Sequence, residues 1–253
     1  MIAREADLLY SLWSRLILHY WAAAAQVAGE DQTEGGQIRQ PTPIEYLQAA
    51  YDRTLEVTSQ HNWQGTTTAC GAQIYYREPE DPSADNRPTP LVYITNLGDC
   101  QVLVLRPSTK EVLYKSQEQW HWFDCPRQLG TNSPDTPKEN AVTDTVDIEV
   151  GDVVLAMTDG VIDNLWEHEI VDTIVKSIEA WEKANTPKVN GSRVGGRNGG
   201  MLVAAQDLVA AAKKIAMDPF AESPFMEHAI EEGLASEGGE LTSLTPFLLL
   251  LRY

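Results

Sequence analysis

The chain has 253 residues, enough for one large domain or two small ones, and 43% are hydrophobic, which excludes wholesale disorder. Against 19 Lys and Arg stand 37 Asp and Glu, a net charge of −18 that repels phosphate backbones and excludes a general nucleic-acid binder. Cys70, Cys100 and Cys125 are too scattered for a disulfide framework or zinc site, which fits a reducing compartment, and the most apolar stretch, Leu244 to Leu251, is too short to span a membrane.

Taken in chain order, Leu9, Leu12, Trp13, Leu16 and Tyr20 recur at three and four, predicting a helix over Met1 to Ala28. Its Glu5, Asp7 and bulky aromatics are unlike a signal or transit peptide, so it belongs to the mature fold. Gly29 to Gln40 is polar loop, and Thr42-Pro43-Ile44-Glu45 predicts a capping box opening a second helix that buries Ile44, Leu47, Tyr51 and Leu55. Strands are expected at Thr67 to Tyr76, Leu91 to Thr95, Gln101 to Arg106, Glu111 to Lys115, Thr143 to Glu149 and Val153 to Thr158. A long loop, Arg77 to Pro90, separates the first two, and the tight turns between the rest predict antiparallel pairing of consecutive strands. Asn164 is the expected cap of a helix running to about Trp181, with Ile170, Ile174, Ile178 and Trp181 inward. Residues 186–200 read as a flexible insert, Met201 to Met217 and Pro224 to Leu234 as helices, and Phe247 to Arg252 as a closing strand. Segregated strands and helices indicate the α+β class, in one domain over residues 1–253.

Candidate chemistry centres on carboxylates at strand ends. Asp159, followed by Gly160, ends the apolar run Val153 to Met157, and Asp163 can reach back toward it. Asp99, after Gly98, occupies a similar turn. Hard divalent cations take such oxygen ligands, although Asp-Gly by itself is commonly just a turn. The glycine-rich run Gly191 to Gly200 lacks the Gly-Lys-Ser/Thr ending of a phosphate loop and reads as a surface insert. No Gly-x-Ser-x-Gly elbow is present. His121 and Cys125 sit in an apolar context that suggests packing, and His19, His61, His168 and His228 have no metal-ligand spacing.

The ordered set Gly65-Thr66-Thr67-Thr68-Ala69, Asn96-Leu97-Gly98-Asp99, Phe123 to Leu129 and Thr158-Asp159-Gly160-Val161-Ile162-Asp163-Asn164 resembles the metal-dependent protein phosphatases of type 2C. The Phe-x-x-Pro-x-Gln-Leu and Asp-Gly-x-x-Asp-Asn elements look most like the mitochondrial, fungal and plant branch. That resemblance implies a four-layer α-β-β-α sandwich of two antiparallel sheets flanked by helices. It also implies hydrolysis of phosphoserine and phosphothreonine in phosphoproteins at a dinuclear Mn2+ or Mg2+ centre, and a mitochondrial location, with the cytoplasm as the other choice. Asp159 matches a direct ligand of a core metal, Asp163 the second acid of that motif, and Asp99 the acid tied to a third, looser metal, with Cys100 in place of the family's serine.

The chain departs from the family pattern at both ends. The resemblance implies an earlier Asp-Gly strand, ahead of the segment like Ser11 to Trp21, so the chain is expected to lack its first strand and to gain stability from an N-terminal extension. Near the other end, Gly238-Gly239-Glu240-Leu241-Thr242-Ser243-Leu244-Thr245 stands where Gly-Gly-x-x-Asp-Asp-Ile-Thr is expected, with Thr242 and Ser243 in place of acids. Loss of even an outer partner costs metal sites about 10–100-fold in affinity. Two readings therefore compete: a phosphatase with impaired activity, and a non-catalytic binding module.

Overall fold

The computed structural model describes residues 2–30, 40–79, 88–185, 200–234 and 249–252. The chain opens with helices α1 (Ile2–Glu30) and α2 (Pro43–Gln60). Strands β1 (Thr66–Thr67), β2 (Ala69–Arg77), β3 (Thr89–Leu97), β4 (Gln101–Arg106), β5 (Glu111–Lys115), β6 (Trp120–Trp122), β7 (Cys125–Pro126) and β8 (Leu129–Gly130) follow. A one-turn helix, α3 (Pro137–Asn140), precedes β9 (Val142–Asp147) and β10 (Val153–Met157). Helices α4 (Asp159–Ile162), α5 (Glu167–Ala184), α6 (Met201–Ala216) and α7 (Pro224–Glu231) lead to β11 (Leu249–Arg252). This is the α+β order expected from the sequence. No helix among the described residues is long and apolar enough to cross a membrane.

Two compact units emerge from the contacts: residues 1–100 with 117–147, and residues 101–116 with 148–253. In the first unit, β2, β3 and β9 form an antiparallel sheet in that order, and β1–β8 and β6–β7 are small antiparallel ladders. Its core joins Trp13 and Ile17 of α1, Leu47 and Tyr51 of α2, and Ala69, Leu97 and Leu129 from the strands. The Tyr51 hydroxyl donates to the Gly130 carbonyl at 3.3 Å, fastening α2 to β8. In the second unit the sheet order is β11-β10-β4-β5, again all antiparallel. Leu103, Leu105 and Leu155 from this sheet pack with Ile170, Ile174 and Ile178 of α5 and Ala204 and Leu208 of α6. Every residue of β10 is buried, which explains its unbroken apolar sequence: side chains on both faces leave water.

Several local expectations change. Consecutive strands pair at β2–β3 and β4–β5, but β3 does not pair with β4, nor β9 with β10. The Gly98-Asp99 turn and the Val150-Gly151-Asp152 turn instead carry the chain from one sheet to the other. Gly98 has φ of +107°, a conformation a side chain resists, and a Cβ there would come within 2.7 Å of the Arg127 carbonyl. The expected strand from Thr67 breaks at Thr68, because β1 pairs with β8 whereas β2 pairs with β3. Thr42 precedes α2 with Pro43 in its first turn, but its side chain makes no capping bond. The buried stripe of α2 runs through Leu47, Ala50, Tyr51, Thr54 and Thr58, leaving Ile44 and Leu55 half-buried. Asn164 does not cap α5; Trp166 occupies that position, and its N–H donates to the Glu169 carboxylate at 3.0 Å. Trp181, expected inward, is half-buried. Residues 186–199, and the Gly238 to Thr245 run, lie outside the described residues.

Trp13 is fully buried, and its indole lies so close to Gly65 that any Cβ at that position would collide with the ring. An aromatic ring held on all sides cannot swing aside, so overpacking here strains the α1 contact. Gly65→Ala is expected to destabilise the protein by about 1–3 kcal/mol, measured by urea unfolding. An unchanged midpoint would mean that α1 can shift freely.

Candidate functional site

Asp159 stands where the buried strand β10 gives way to a single helical turn. Thr158 holds an extended backbone (φ −84°, ψ 167°), and the Asp159 side chain turns back so that Oδ1 accepts the Gly160 N–H at 2.7 Å. The Asp163 N–H donates to the Asp159 carbonyl at 2.8 Å, closing the turn and bringing the two acids to the same side at i and i+4. Val161, Ile162 and Leu165 point into the core and fix the turn from below. Asn164 is buried, and its Nδ2 donates to the Gly160 carbonyl at 3.2 Å. The Phe225 N–H at the start of α7 donates to the Asp163 carbonyl at 3.1 Å. The Asp-Asn pair thus has a divided role: Asp163 stays half-buried, whereas Asn164 serves the backbone. Beside Asp159, the buried hydroxyl of Thr158 makes no hydrogen bond to any protein group. The Trp13 indole N–H, in the apolar core of the first unit, likewise has no partner, so such an atom calls for an explanation, and beside two carboxylates a water or ion can supply it.

Asp99 belongs to the other unit, at the end of β3, and is 7% exposed. Its turn is held on several sides. The Gly98 N–H donates to Gln119 Oε1 at 3.0 Å, and the Gln119 N–H donates to the Gly98 carbonyl at 2.9 Å. Asn96 Nδ2 donates to the Gly98 and Gln117 carbonyls at 3.2 and 3.1 Å. The buried Cys100 Sγ donates to Asn96 Oδ1 at 3.3 Å. Its thiol is pushed well above the ordinary range, first by a hydrogen bond with the Cys70 thiol and then by burial.

Sequence reasoning missed a third carboxylate, Asp135, which is 2% exposed. It accepts from the Gln128 N–H at 3.0 Å, Ser133 Oγ at 3.2 Å and an Arg127 nitrogen at 3.3 Å, and pairs with His121 Nε2 at 2.9 Å. No local pattern announces it, because its partners meet only when β6, β7 and the following loop have folded. Burial works to raise the Asp135 carboxyl, but the hydrogen bonds from His121, Gln128 and Ser133 and the pull of His121 outweigh it and leave it below its ordinary value. A carboxyl held low when folded contributes its full stability above the unfolded aspartate value of about 3.9, and loses it as pH falls through the lower folded value. Asp135→Asn should therefore be less stable than the parent at pH 7, and the gap should narrow below about pH 4. Urea unfolding at the two pH values checks this; a gap that widens in acid would refute it. His121, expected to pack in an apolar context, is instead an exposed residue whose ring pairs with the buried Asp135 carboxylate.

Among the described residues no three His, Cys, Asp or Glu side chains gather in a group able to hold a metal ion. The donors in the second unit at this position are Asp159 and Asp163, with the Thr158 hydroxyl beside them. That set is too small for a dinuclear centre, which needs several carboxylates to offset two dications about 3.5–4 Å apart. The described residues do not by themselves fit the two-metal centre.

No family model matches the chain. A probable protein phosphatase 2C 80 from Arabidopsis thaliana is 31% identical over 242 residues, which are 95% of this chain and 47% of that protein. The human protein phosphatase PTC7 homolog is 26% identical over 224 residues, covering 85% of this chain and 63% of the relative. The chain thus spans about half to two-thirds of the length of these curated relatives. Among solved structures, the photosystem II phosphatase PBCP superposes with a TM-score of 0.60 at 22% identity, covering 88% of this chain and 68% of the other. That likeness shows the fold, an α+β arrangement of antiparallel sheets and helices. The chain belongs to the type 2C family of metal-dependent protein phosphatases.

Proposed function

We propose that residues 1–253 are one type 2C phosphatase domain that hydrolyses phosphoserine and phosphothreonine in phosphoproteins, with Mn2+ or Mg2+, at low activity. The carrying observation is the end of β10, where Asp159 and Asp163 share one helical turn beside the unpartnered Thr158 hydroxyl. These acids are assigned to one weakly held, mostly hydrated cation, and Asp99 to a separate, looser one. Such a cation, when bound, supplies charge neutralisation for a phosphoryl group and acidifies water. The chain's own part is to hold Asp159: its Oδ1 is fixed by the Gly160 N–H, and its turn by the core below. A mitochondrial location goes with this reading through the sequence resemblance to the mitochondrial, fungal and plant branch, with the cytoplasm as the other choice.

The test is release of inorganic phosphate from phosphoserine and phosphothreonine peptides in manganese, in magnesium and in chelator. Slow, metal-dependent release that Asp159→Ala abolishes is the expected result. The second reading, a binding module without catalysis, is favoured by the lack of a three-ligand group among the described residues. Phosphopeptide binding with no release above the Asp159→Ala background would establish it in place of the first.

A further inference from the structure

The loop joining α6 to α7 is anchored at both ends and apolar at its tip. Ala216, which ends α6, is 3% exposed, and Ser223, the cap of α7, is 1% exposed. Between these anchors Met217 and Phe220 stand in solvent, 63% and 89% exposed, and no other large hydrophobic side chain among the described residues is as exposed as Phe220. The backbone beneath the ring is held. Asp218 Oδ1 accepts the Phe220 N–H at 2.9 Å, and the Asp218 carbonyl accepts the Ala221 N–H at 3.2 Å. Pro219, between Asp218 and Phe220, has its φ fixed by its ring. A side chain this exposed gains little from the fold, but an aromatic group on a held backbone binds a partner at low entropic cost.

The place of the loop in the second unit says what it can reach. The Ser223 hydroxyl accepts the Met226 N–H at 3.2 Å, and the Phe225 N–H donates to the Asp163 carbonyl at 3.1 Å. Phe220 stands five positions before Phe225. Even a fully extended chain of that length spans only about 18 Å, so the Phe220 backbone lies within that reach of the Phe225–Asp163 bond. A bound peptide in extended form crosses the same distance in about five residues. The surroundings are acidic. Between Lys213 and Glu232, the exposed carboxylates of Asp218, Glu222, Glu227, Glu231 and Glu232 stand against Lys213 and Lys214 alone. An apolar tip in an acidic surround fits a segment that is both apolar and basic.

We propose that Phe220 and Met217 form a docking surface for the phosphoprotein substrate. It takes an aliphatic or aromatic side chain lying within about five residues of the phosphorylated serine or threonine, in a segment rich in Lys or Arg. The inference rests on the reading of the β10 end as the place where the phosphoryl group binds. The substrate's apolar side chain covers the Phe220 ring and takes both surfaces out of water, while its cations meet Glu222 and Glu227. Docking of this kind selects among phosphoproteins by what flanks the phosphorylated residue.

The experiment uses the 253-residue chain and labelled peptides in which a non-hydrolysable phosphonate replaces phosphoserine, so that fluorescence anisotropy in manganese reads affinity without turnover. Each peptide carries arginines and has either leucine or serine three residues after the phosphonate. The leucine peptide should bind the parent at least about 5-fold more tightly than the serine peptide, the size of effect expected of a buried aromatic contact. Phe220→Ser should remove most of that preference and Met217→Ser part of it, with the melting temperature of each variant close to that of the parent, because exposed side chains contribute little to stability. Glutamates in place of the arginines should weaken the leucine peptide. Equal binding of the two peptides, a preference that survives both substitutions together, or no binding of either peptide would overturn the proposal. So would self-association of the parent that Phe220→Ser abolishes, which would give the loop to a second copy of the chain. A leucine preference in a chain that releases no phosphate from phosphoserine peptides would uphold the docking surface and defeat catalysis alone. Phosphate release with no preference would overturn the docking surface and leave the phosphatase reading standing.

Discussion

Titration with manganese is expected to find no more than one weak site per chain in the acids at the end of β10, and Asp159→Ala should abolish it. The reason is donor count. Cation affinity follows the number and charge of oxygen ligands, and sites poor in charged ligands bind on the order of 10⁻⁴–10⁻³ M. Asp159 and Asp163 share a turn, but no third acid, histidine or cysteine joins them among the described residues. Thr242 occupies the sequence position where the family pattern puts an aspartate. Thr242→Asp should therefore tighten manganese by at least about 10-fold, the size of effect seen when metal-site partners are exchanged. With p-nitrophenyl phosphate the parent chain should turn over well below about 1 s⁻¹, the slow end of ordinary enzymes. Isothermal titration and a steady-state assay read both quantities. Two tight manganese sites in the parent, or fast turnover lost in Asp159→Ala, would show that other acids complete the centre.

Trp13→Ala should be the most damaging single change to the first unit, at about 3–5 kcal/mol. The side chain is wholly buried in a cluster with Ile17, Leu47, Tyr51, Ala69, Leu97 and Leu129, so its removal opens a cavity bordered by α1, α2 and three strands. Those elements are tied down elsewhere and cannot collapse into the space. The indole also lies against Gly65, and this makes the two positions interdependent. Gly65→Ala should do less harm in the Trp13→Ala background than in the parent, because the collision has gone. Urea unfolding of the parent, both single variants and the double variant measures the coupling. Additive losses would mean that the ring yields to a methyl group without strain.

Much of the local structure is legible in the sequence because it depends on neighbours along the chain. The limits of β4 and β5 follow from their apolar, β-branched and aromatic composition and from the turn at Pro107 and Ser108 between them, and both agree with the structure to the residue. The helix over Met201 to Ala216 is likewise readable from its alanine-rich periodicity. Pairing between strands is another matter. Short turns suggest that β3 should lie beside β4 and β9 beside β10, but the partners of β3 are β2 and β9, and those of β10 are β4 and β11. A turn's sequence reports its reversal and not which sheet receives the next strand. The site divides in the same way. Asp159 and Asp163 are visible because their spacing is local, and the Asp-Gly pair identifies the strand end. Asp135 was invisible, since its value lies in donors from Arg127, Gln128 and Ser133 and in a histidine fourteen positions earlier.

The sheet order of the second unit also sets when its sheet can be completed. Its strands β4 and β5 are made early, but β10 reaches β4 only after the intervening residues of the first unit have emerged. Another ladder joins Val153–Ala156 to Leu249–Arg252, far along the sequence. Contacts so far apart in sequence form slowly, because a long loop must close before any hydrogen bond rewards it. During synthesis the first unit has all its described residues by Asp147, whereas this edge of β10 waits for β11. Until then an apolar strand, Val153–Met157, presents an open edge, the condition under which nascent chains associate with one another.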